Sequence, residues 1–129
     1  MQQVKNIAIM GAGLVGSLLS MYLKKRGYEV TVYERRPDLR KTGAAGGRSI
    51  NLAISERGWK GLAGVGMEEE IRKIAIQMPG RMIHDVLGNL SFQPYGKPGQ
   101  AINSVSRGDL NIALVNAAEK SGITYHFNQ

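Results

Sequence analysis

The fold is decided by the stretch KNIAIMGAGLVGSLLSMYLKKRGYEVTVYE, residues 5–34. A short apolar run ends at Gly11, an apolar pattern of helical period follows Gly13, and an alternating β-branched run ends at Glu34. In a β-α-β unit the first glycine of a GxGxxG motif allows the tight turn and the second lets a pyrophosphate approach the backbone. The third lets the helix pack closely on the sheet. Because the helix amino terminus also offers unpaired N–H groups to phosphates, Gly11, Gly13 and Gly16 predict a dinucleotide-binding unit.

Glu34 narrows the choice of ligand. It ends the second predicted strand, where a carboxylate accepts hydrogen bonds from the ribose hydroxyls of the adenosine half. Since a carboxylate disfavours a 2′-phosphate, FAD or NAD is expected at this position rather than NADP. The alternative is a glycine-rich turn that only packs a helix on a sheet. Strand, glycines, helix, strand and acid follow one another in order, and this order favours cofactor binding.

The sequence predicts further helices and strands after the glycine turn. The helix after the glycines is expected to bury an apolar face made of Leu14, Val15, Leu18, Leu19, Tyr22 and Leu23. Residues 40–48 predict a loop, which is followed by a strand at 49–54, helices at 55–64 and 68–75, and strands near 80–87, 90–95 and 101–105. A helix that begins at Ser106 or Gly108 and is ended by Gly122 follows, and then a strand at 123–127.

These elements predict an α/β fold in a single domain over residues 1–129, with a Rossmann-like β-α-β unit and a small inserted antiparallel sheet at about 79–105. A doubly wound nucleotide-binding sheet needs strands on both sides of its first strand. Here the first strand lacks its far neighbours, so the sheet is expected to be incomplete. We therefore expect the chain to be the N-terminal part of a longer protein.

Composition excludes several classes of function. The formal net charge is +7, yet the basic residues are scattered and only 6% of residues are aromatic, so nucleic acid is not an expected partner. Without cysteine there is no disulfide, thiolate metal site or cysteine nucleophile, and this composition fits a reducing cytoplasm. The acidic run 68–70 is expected to complement a helix dipole rather than bind metal. We predict no metal site and name no catalytic residue.

Five segments outside the glycine unit resemble the flavin-dependent aromatic hydroxylases: GRSINLAISERG (47–58), PGRMIH (79–84), PYG (94–96), INSVSR (102–107) and LN (110–111). The resemblance implies that the β-α-β unit binds FAD and that the inserted antiparallel sheet is a substrate sheet. It further implies NADPH as a transient co-substrate, O2 as oxidant, and L-kynurenine as the substrate converted to 3-hydroxykynurenine. Since the cofactor carries the hard chemistry, no acid–base pair is needed.

The same resemblance implies roles for individual residues. Arg81 and Tyr95 are expected to hold the amino-acid carboxylate of the substrate, because a guanidinium can clamp a carboxylate with two hydrogen bonds and a phenol can add a third. Ala53 is expected near the flavin, and Arg107, at a helix start, on the ADP portion. Arg48 is expected either near the flavin or as an anchor of its loop. Contacts with the FAD pyrophosphate and adenosine are expected from Val15, Tyr33, Glu34, Arg35 and Arg36.

Several alternatives stay open at this stage. Without the resemblance, the sequence predicts only that Arg81 is a solvated sheet residue and that Arg107 is a surface residue at a helix start. A different FAD-dependent aromatic hydroxylase or an NAD-dependent reductase would share the glycine unit. A cofactor-binding sensor module would bind FAD without turnover. No feature of this segment indicates whether the protein associates with a membrane. The segment by itself is expected to be inactive.

Overall fold

The structure is a computed structural model that describes residues 3–42 and 50–129. The predicted glycine unit, the helices after residue 55 and the last strand are all present. Strand β4 and the one-turn helix α2 were not predicted. In chain order the elements are β1 (Asn6–Met10), α1 (Leu14–Lys25), β2 (Glu29–Glu34), α2 (Leu39–Thr42), β3 (Asn51–Ile54), α3 (Glu56–Ala63), α4 (Glu68–Ile74), β4 (Ile76–Met78), β5 (Gly80–His84), β6 (Leu90–Pro94), β7 (Ile102–Ser106), α5 (Arg107–Lys120) and β8 (Thr124–Phe127).

A parallel sheet carries the glycine turn. Its strand order is β1-β2-β8, with Ile7 opposite Val30 and Val32 opposite Tyr125. The central strand β2 buries Val30 and Val32, which lie on one face of the strand, while Thr31 and Tyr33 on the other face are half-buried. Within the described residues β1 has β2 as its only neighbour, so it is an edge strand of this small sheet.

Helix α1 packs against α5 and β2, and its contact face differs from the expected one. Val15 and Leu19 are 79% and 45% exposed, so the prediction that they are buried was wrong. Ser17 and Ser20 are fully buried instead. The Ser20 hydroxyl donates to the Ser17 carbonyl at 2.7 Å, and the Tyr125 hydroxyl donates to Ser17 Oγ at 3.0 Å. Because both hydroxyls are satisfied, small polar side chains can occupy this interface.

One hydrophobic cluster joins the parallel sheet to α3, α4, β7 and α5. It includes Val32 of β2, Trp59 of α3, Ile71 of α4, Val105 of β7 and Leu114 of α5. Helix α3 begins as predicted, because Ser55 Oγ accepts a hydrogen bond from the Gly58 N–H at 3.2 Å. The core thus fixes these four elements against the glycine unit, whereas the β5–β6 hairpin contributes no residue to it.

The antiparallel strands form two separate sheets. One has the order β3-β7-β4, with Ala53 opposite Ser104 and Met78 opposite Ile102. The other is the β5–β6 hairpin, with Arg81 opposite Gln93. The third predicted antiparallel strand, β7, therefore pairs with β3 and β4 rather than with the hairpin. Turn signals predict local hairpins but cannot reveal such a distant pairing, and the insertion boundary at about 79–105 stays a prediction.

Among the helices of the described residues, none is both long and apolar enough to cross a membrane.

Candidate functional site

The three glycines of the turn are present for different physical reasons. Gly11 has φ +109°, which L-residues rarely adopt, and its N–H donates to the Tyr33 carbonyl at 2.7 Å. A Cβ on Gly16 would lie 2.0 Å from the Gly11 carbonyl oxygen, so the helix can approach the turn only with glycine there. Gly13 has φ −79° and ψ −173°, and a Cβ on it would meet nothing within 4 Å. The fold thus requires Gly11 and Gly16 but does not require Gly13.

The amino terminus of α1 is open to a ligand. Gly13 is its N-cap, no side chain caps the helix, and its first turn holds no acidic residue. The N–H groups of that turn have no partner inside the helix and carry the positive end of the helix dipole. A pyrophosphate fits these donors and the open space beside Gly13, so the residues present fit the ADP half of a dinucleotide.

The Glu34 carboxylate lies directly beside this turn and is only 7% exposed. Its Oε2 accepts from Ala12 N at 2.9 Å and from Arg36 Nη2 at 3.2 Å. Its Oε1 accepts from Arg36 N at 2.8 Å and from Arg36 Nε at 3.1 Å. The hydrogen bond from the Arg36 side chain is the main cause that lowers the Glu34 pKa to about 2, against the opposing effect of burial. Glu34 is therefore an anion at neutral pH.

An ion-pair group that sequence reasoning missed ties the segment after β2 to α5. Arg40 Nε donates a hydrogen bond to Asp38 Oδ1 at 2.8 Å. Both Nη groups of Arg40 donate to the Glu119 carboxylate, and Nη1 also donates to Asn116. Its guanidinium also lies 5.8 Å from the centre of the Phe127 ring. These hydrogen bonds, that to Asp38 first, raise the pKa of Arg40, and the same contact lowers the pKa of Asp38. We call Asp38, Arg40 and Glu119 the Arg40 clamp.

The space between Glu34 and the Arg40 clamp is nearly closed. A cavity of about 10 Å³ remains there, which is room for about one water molecule. Its walls come from the turn, the segment after β2, α5 and β8, namely Ala12, Glu34, Arg36, Pro37, Asp38, Leu39, Arg40, Ile112, Val115 and Phe127. An adenine ring therefore does not fit in this cavity as it stands.

The other predicted cofactor contacts lie at several places. The half-buried ring of Tyr33 stacks on His126, with ring centres 5.2 Å apart, and Arg35 is exposed. Ala53 is exposed in the middle of β3. Arg107 is the exposed first residue of α5, and its side chain forms no hydrogen bond within residues 3–42 and 50–129. The predicted role of Arg48 lies outside the described residues.

The acidic run is at the start of α4, as predicted. Glu68 pairs with Arg72 at 2.8 Å one turn later, and the Arg72 guanidinium lies 4.1 Å from the centre of the Trp59 ring. Where the chain is described, no group of three potential metal ligands occurs.

The β5–β6 hairpin carries the residues expected to bind the substrate. Arg81 is opposite Gln93, and Tyr95 N donates to the Pro79 carbonyl at 3.0 Å, which extends the ladder by one pair. Because side chains alternate along a strand, Arg81, Gln93 and Tyr95 lie on one face of the hairpin. Tyr95 also lines a cleft of about 430 Å³ that Arg81 does not line. The structure thus brings Arg81 and Tyr95 to one face but not into one cleft.

Comparison with known families and structures agrees with this geometry. The model of the NAD(P)-binding Rossmann-like domain family matches residues 9–51. The tetrameric 2-methyl-3-hydroxypyridine-5-carboxylic acid oxygenase superposes with a TM-score of 0.74 at 24% identity, over 98% of this chain and 32% of that one. The p-nitrophenol 4-monooxygenase of Pseudomonas putida gives 0.73 at 18% identity, over 99% of this chain and 33% of that one. The α/β fold is therefore that of the flavin monooxygenases, with a Rossmann-like unit, which confirms the predicted fold class.

Sequence relatives narrow the class. The kynurenine 3-monooxygenase of Flavobacterium johnsoniae is 52% identical over all of this chain, that of Myxococcus xanthus 57% over 90% of it, and that of Anopheles gambiae 50% over 98% of it. The chain spans 25% to 28% of the length of these three relatives. Over nearly its whole length this chain is homologous to part of the kynurenine 3-monooxygenases. The resemblance to flavin-dependent aromatic hydroxylases is thus confirmed.

Proposed function

We propose that this chain supplies the ADP-binding half of the FAD site, together with the hairpin that binds the substrate carboxylate, in an NADPH- and O2-dependent monooxygenase. The proposed reaction converts L-kynurenine to 3-hydroxykynurenine. The observation that carries the proposal is Gly13, a glycine that the fold does not require, at an open helix amino terminus beside the buried Glu34 carboxylate. The names of the homologues support the substrate.

In this proposal the chain binds and orients the cofactor. The N–H groups at the start of α1 bind the pyrophosphate, and Glu34 accepts hydrogen bonds from the ribose hydroxyls. Bound FAD, reduced by NADPH, supplies the oxygen-activating chemistry. Further contacts are proposed with the adenosine and pyrophosphate from Val15, Tyr33, Arg35, Arg36 and Arg107, and with the flavin from Ala53 and Arg48.

Arg81 and Tyr95 are proposed to bind the amino-acid carboxylate of L-kynurenine. Diagonal neighbours on one face of a hairpin are about 7–8 Å apart, which is within reach of two long side chains. In the part of the chain that the structure describes, no carboxylate pairs with Arg81, so its charge is available to an anion. This contact lies at the end of the substrate remote from the reacting ring carbon, so it contributes to substrate binding rather than to the chemical step.

The test uses the complete FAD-loaded monooxygenase that contains this chain, because the segment by itself is expected to be inactive. NADPH oxidation is measured with and without L-kynurenine, and 3-hydroxykynurenine is quantified by chromatography. Arg81→Ala should raise the KM for L-kynurenine about 100-fold with little change in kcat, because a hydrogen-bonded charge pair is lost. A decarboxylated analogue of kynurenine should be insensitive to this change, and Arg26→Ala, which removes an exposed arginine elsewhere, is the matched control.

Two results would contradict the proposal. NADPH oxidation that does not respond to L-kynurenine would point to another aromatic hydroxylase, to a reductase or to a sensor module. An unchanged KM in Arg81→Ala would remove the hairpin from substrate binding. The cytoplasmic location expected from the sequence stays a prediction.

A further inference from the structure

We propose that Gln93 is a positioning residue for substrate binding. Its side-chain oxygen accepts a hydrogen bond from Arg81 Nε at 2.7 Å, across the two strands of the hairpin. In this role Gln93 holds the Arg81 guanidinium by one edge and leaves its two terminal nitrogens for the substrate carboxylate. The inference rests on the proposed role of Arg81 and deepens it.

The register that places these two side chains opposite each other is fixed at both ends of the hairpin. At the open end, Tyr95 N donates to the Pro79 carbonyl at 3.0 Å. At the turn, Asp85 N donates to the Asn89 carbonyl at 3.0 Å. The Asp85 carboxylate also accepts from the backbone N–H groups of Leu87 and Asn89, both at 2.8 Å. A slip by one residue would break these bonds and move the two side chains to opposite faces.

Close approach of the strands depends on Gly80, the residue before Arg81. A Cβ on Gly80 would lie 2.4 Å from the Gln93 carbonyl oxygen and 2.5 Å from the Phe92 ring. The backbone on either side of the Arg81–Gln93 pair is therefore tightly placed, although both side chains are exposed.

The chemistry of an amide suits this task better than that of a carboxylate. A guanidinium has five N–H donors in a rigid fork, and occupying Nε fixes the plane while leaving the edge formed by Nη1 and Nη2. That edge matches a carboxylate with two parallel hydrogen bonds. Because Gln93 is neutral, it does not cancel the positive charge of Arg81. Within the described residues the bond to Gln93 is the one side-chain hydrogen bond that Arg81 forms.

The test compares Gln93→Leu and Gln93→Glu in the complete FAD-loaded monooxygenase that contains this chain, with Ser91→Ala on the same hairpin face as the control. Gln93→Leu should raise the KM for L-kynurenine about tenfold, the effect of one hydrogen bond of ordinary strength, with kcat unchanged. Gln93→Glu should raise KM further, because its carboxylate competes with that of the substrate. Neither variant should alter the KM for a decarboxylated kynurenine analogue.

A double-mutant cycle with Arg81→Ala separates the possible failures. If Gln93 acts through Arg81, then Gln93→Leu should have no further effect in the Arg81→Ala background. If Arg81→Ala raises KM and Gln93→Leu does not, the positioning role is refuted and the carboxylate site stands. Equal effects of Gln93→Leu on both substrates would also refute it, since they would indicate a merely structural role. If Arg81→Ala has no effect, the proposed carboxylate site itself fails.

Discussion

The glycine turn contains one glycine that folding requires, Gly16, and one that we expect only cofactor binding to require, Gly13. We predict that the Gly13→Ala variant keeps its stability but binds FAD weakly, whereas the Gly16→Ala variant is strongly destabilised. Both substitutions add a single methyl group to the same turn. They therefore form a matched pair that differs in what the methyl group meets.

The magnitudes follow from the local geometry. The Gly16 methyl carbon would lie 2.0 Å from the Gly11 carbonyl oxygen and 3.2 Å from its carbon, so α1 must shift by about 1 Å. Overpacking against backbone of this kind costs about 3 kcal/mol. At Gly13 the conformation is open to alanine, and the loss of a glycine N-cap is offset by a less flexible unfolded chain. The net change in the free energy of unfolding at Gly13 should stay within about 1 kcal/mol.

Two measurements check this prediction. Denaturant unfolding without cofactor gives the free energy of unfolding, and a fluorescence titration gives the affinity for FAD. Gly13→Ala should weaken FAD binding at least about 100-fold, because its methyl group occupies the approach of the pyrophosphate to the backbone. The prediction fails if Gly13→Ala unfolds as readily as Gly16→Ala, or if it binds FAD as tightly as the unaltered protein.

Three further predictions concern stability. Because Glu34 titrates near 2 when folded instead of 4.5, its contribution of about 3 kcal/mol is complete above pH 4.5 and is lost as the pH falls towards 2. Glu34→Gln should flatten the dependence of unfolding on pH between about 4.5 and 2, and an unaltered dependence would contradict this. Arg40→Met should lower the free energy of unfolding by about 2 kcal/mol, because it leaves the buried Asp38 carboxylate without its main partner. The control is Lys41→Met, which removes an exposed cation nearby and should leave the free energy of unfolding unchanged. Tyr22→Phe should cost about 1 kcal/mol in thermal or denaturant unfolding through loss of a 2.6 Å hydrogen bond to a carbonyl of α3, and no cost would show that water replaces it.

Local patterns made the nucleotide-binding half of the fold predictable. Turn glycines, a helix start at Ser55 and a β-branched strand are each encoded within a few residues, and all were found where the sequence predicted them. The contact face of α1 was misjudged because apolar residues were assumed to be buried. The small side chains of Ser17 and Ser20 are buried there instead, with their hydroxyls hydrogen-bonded, while Val15 remains exposed.

Features that depend on distant pairing could not be predicted. The pairing of β7 with β3 and β4 joins segments far apart in the chain. Likewise, Gln93 meets Arg81 only because a particular turn sets the register of the hairpin. The Arg40 clamp connects residues about 80 positions apart, and no spacing rule signals such an ion pair.

The carboxylate of Glu34 already has four donors, about as many as it has lone-pair sites. A ribose hydroxyl can therefore join it only by exchange, and the Arg36 side chain, 53% exposed, is the donor that can leave without disturbing the turn. The two carboxylate oxygens of Glu34 would thus contribute both to the stability of the fold and to the affinity for the cofactor. A substitution that strengthens the contact of Arg36 with this carboxylate would therefore stabilise the fold and weaken binding at the proposed adenosine site.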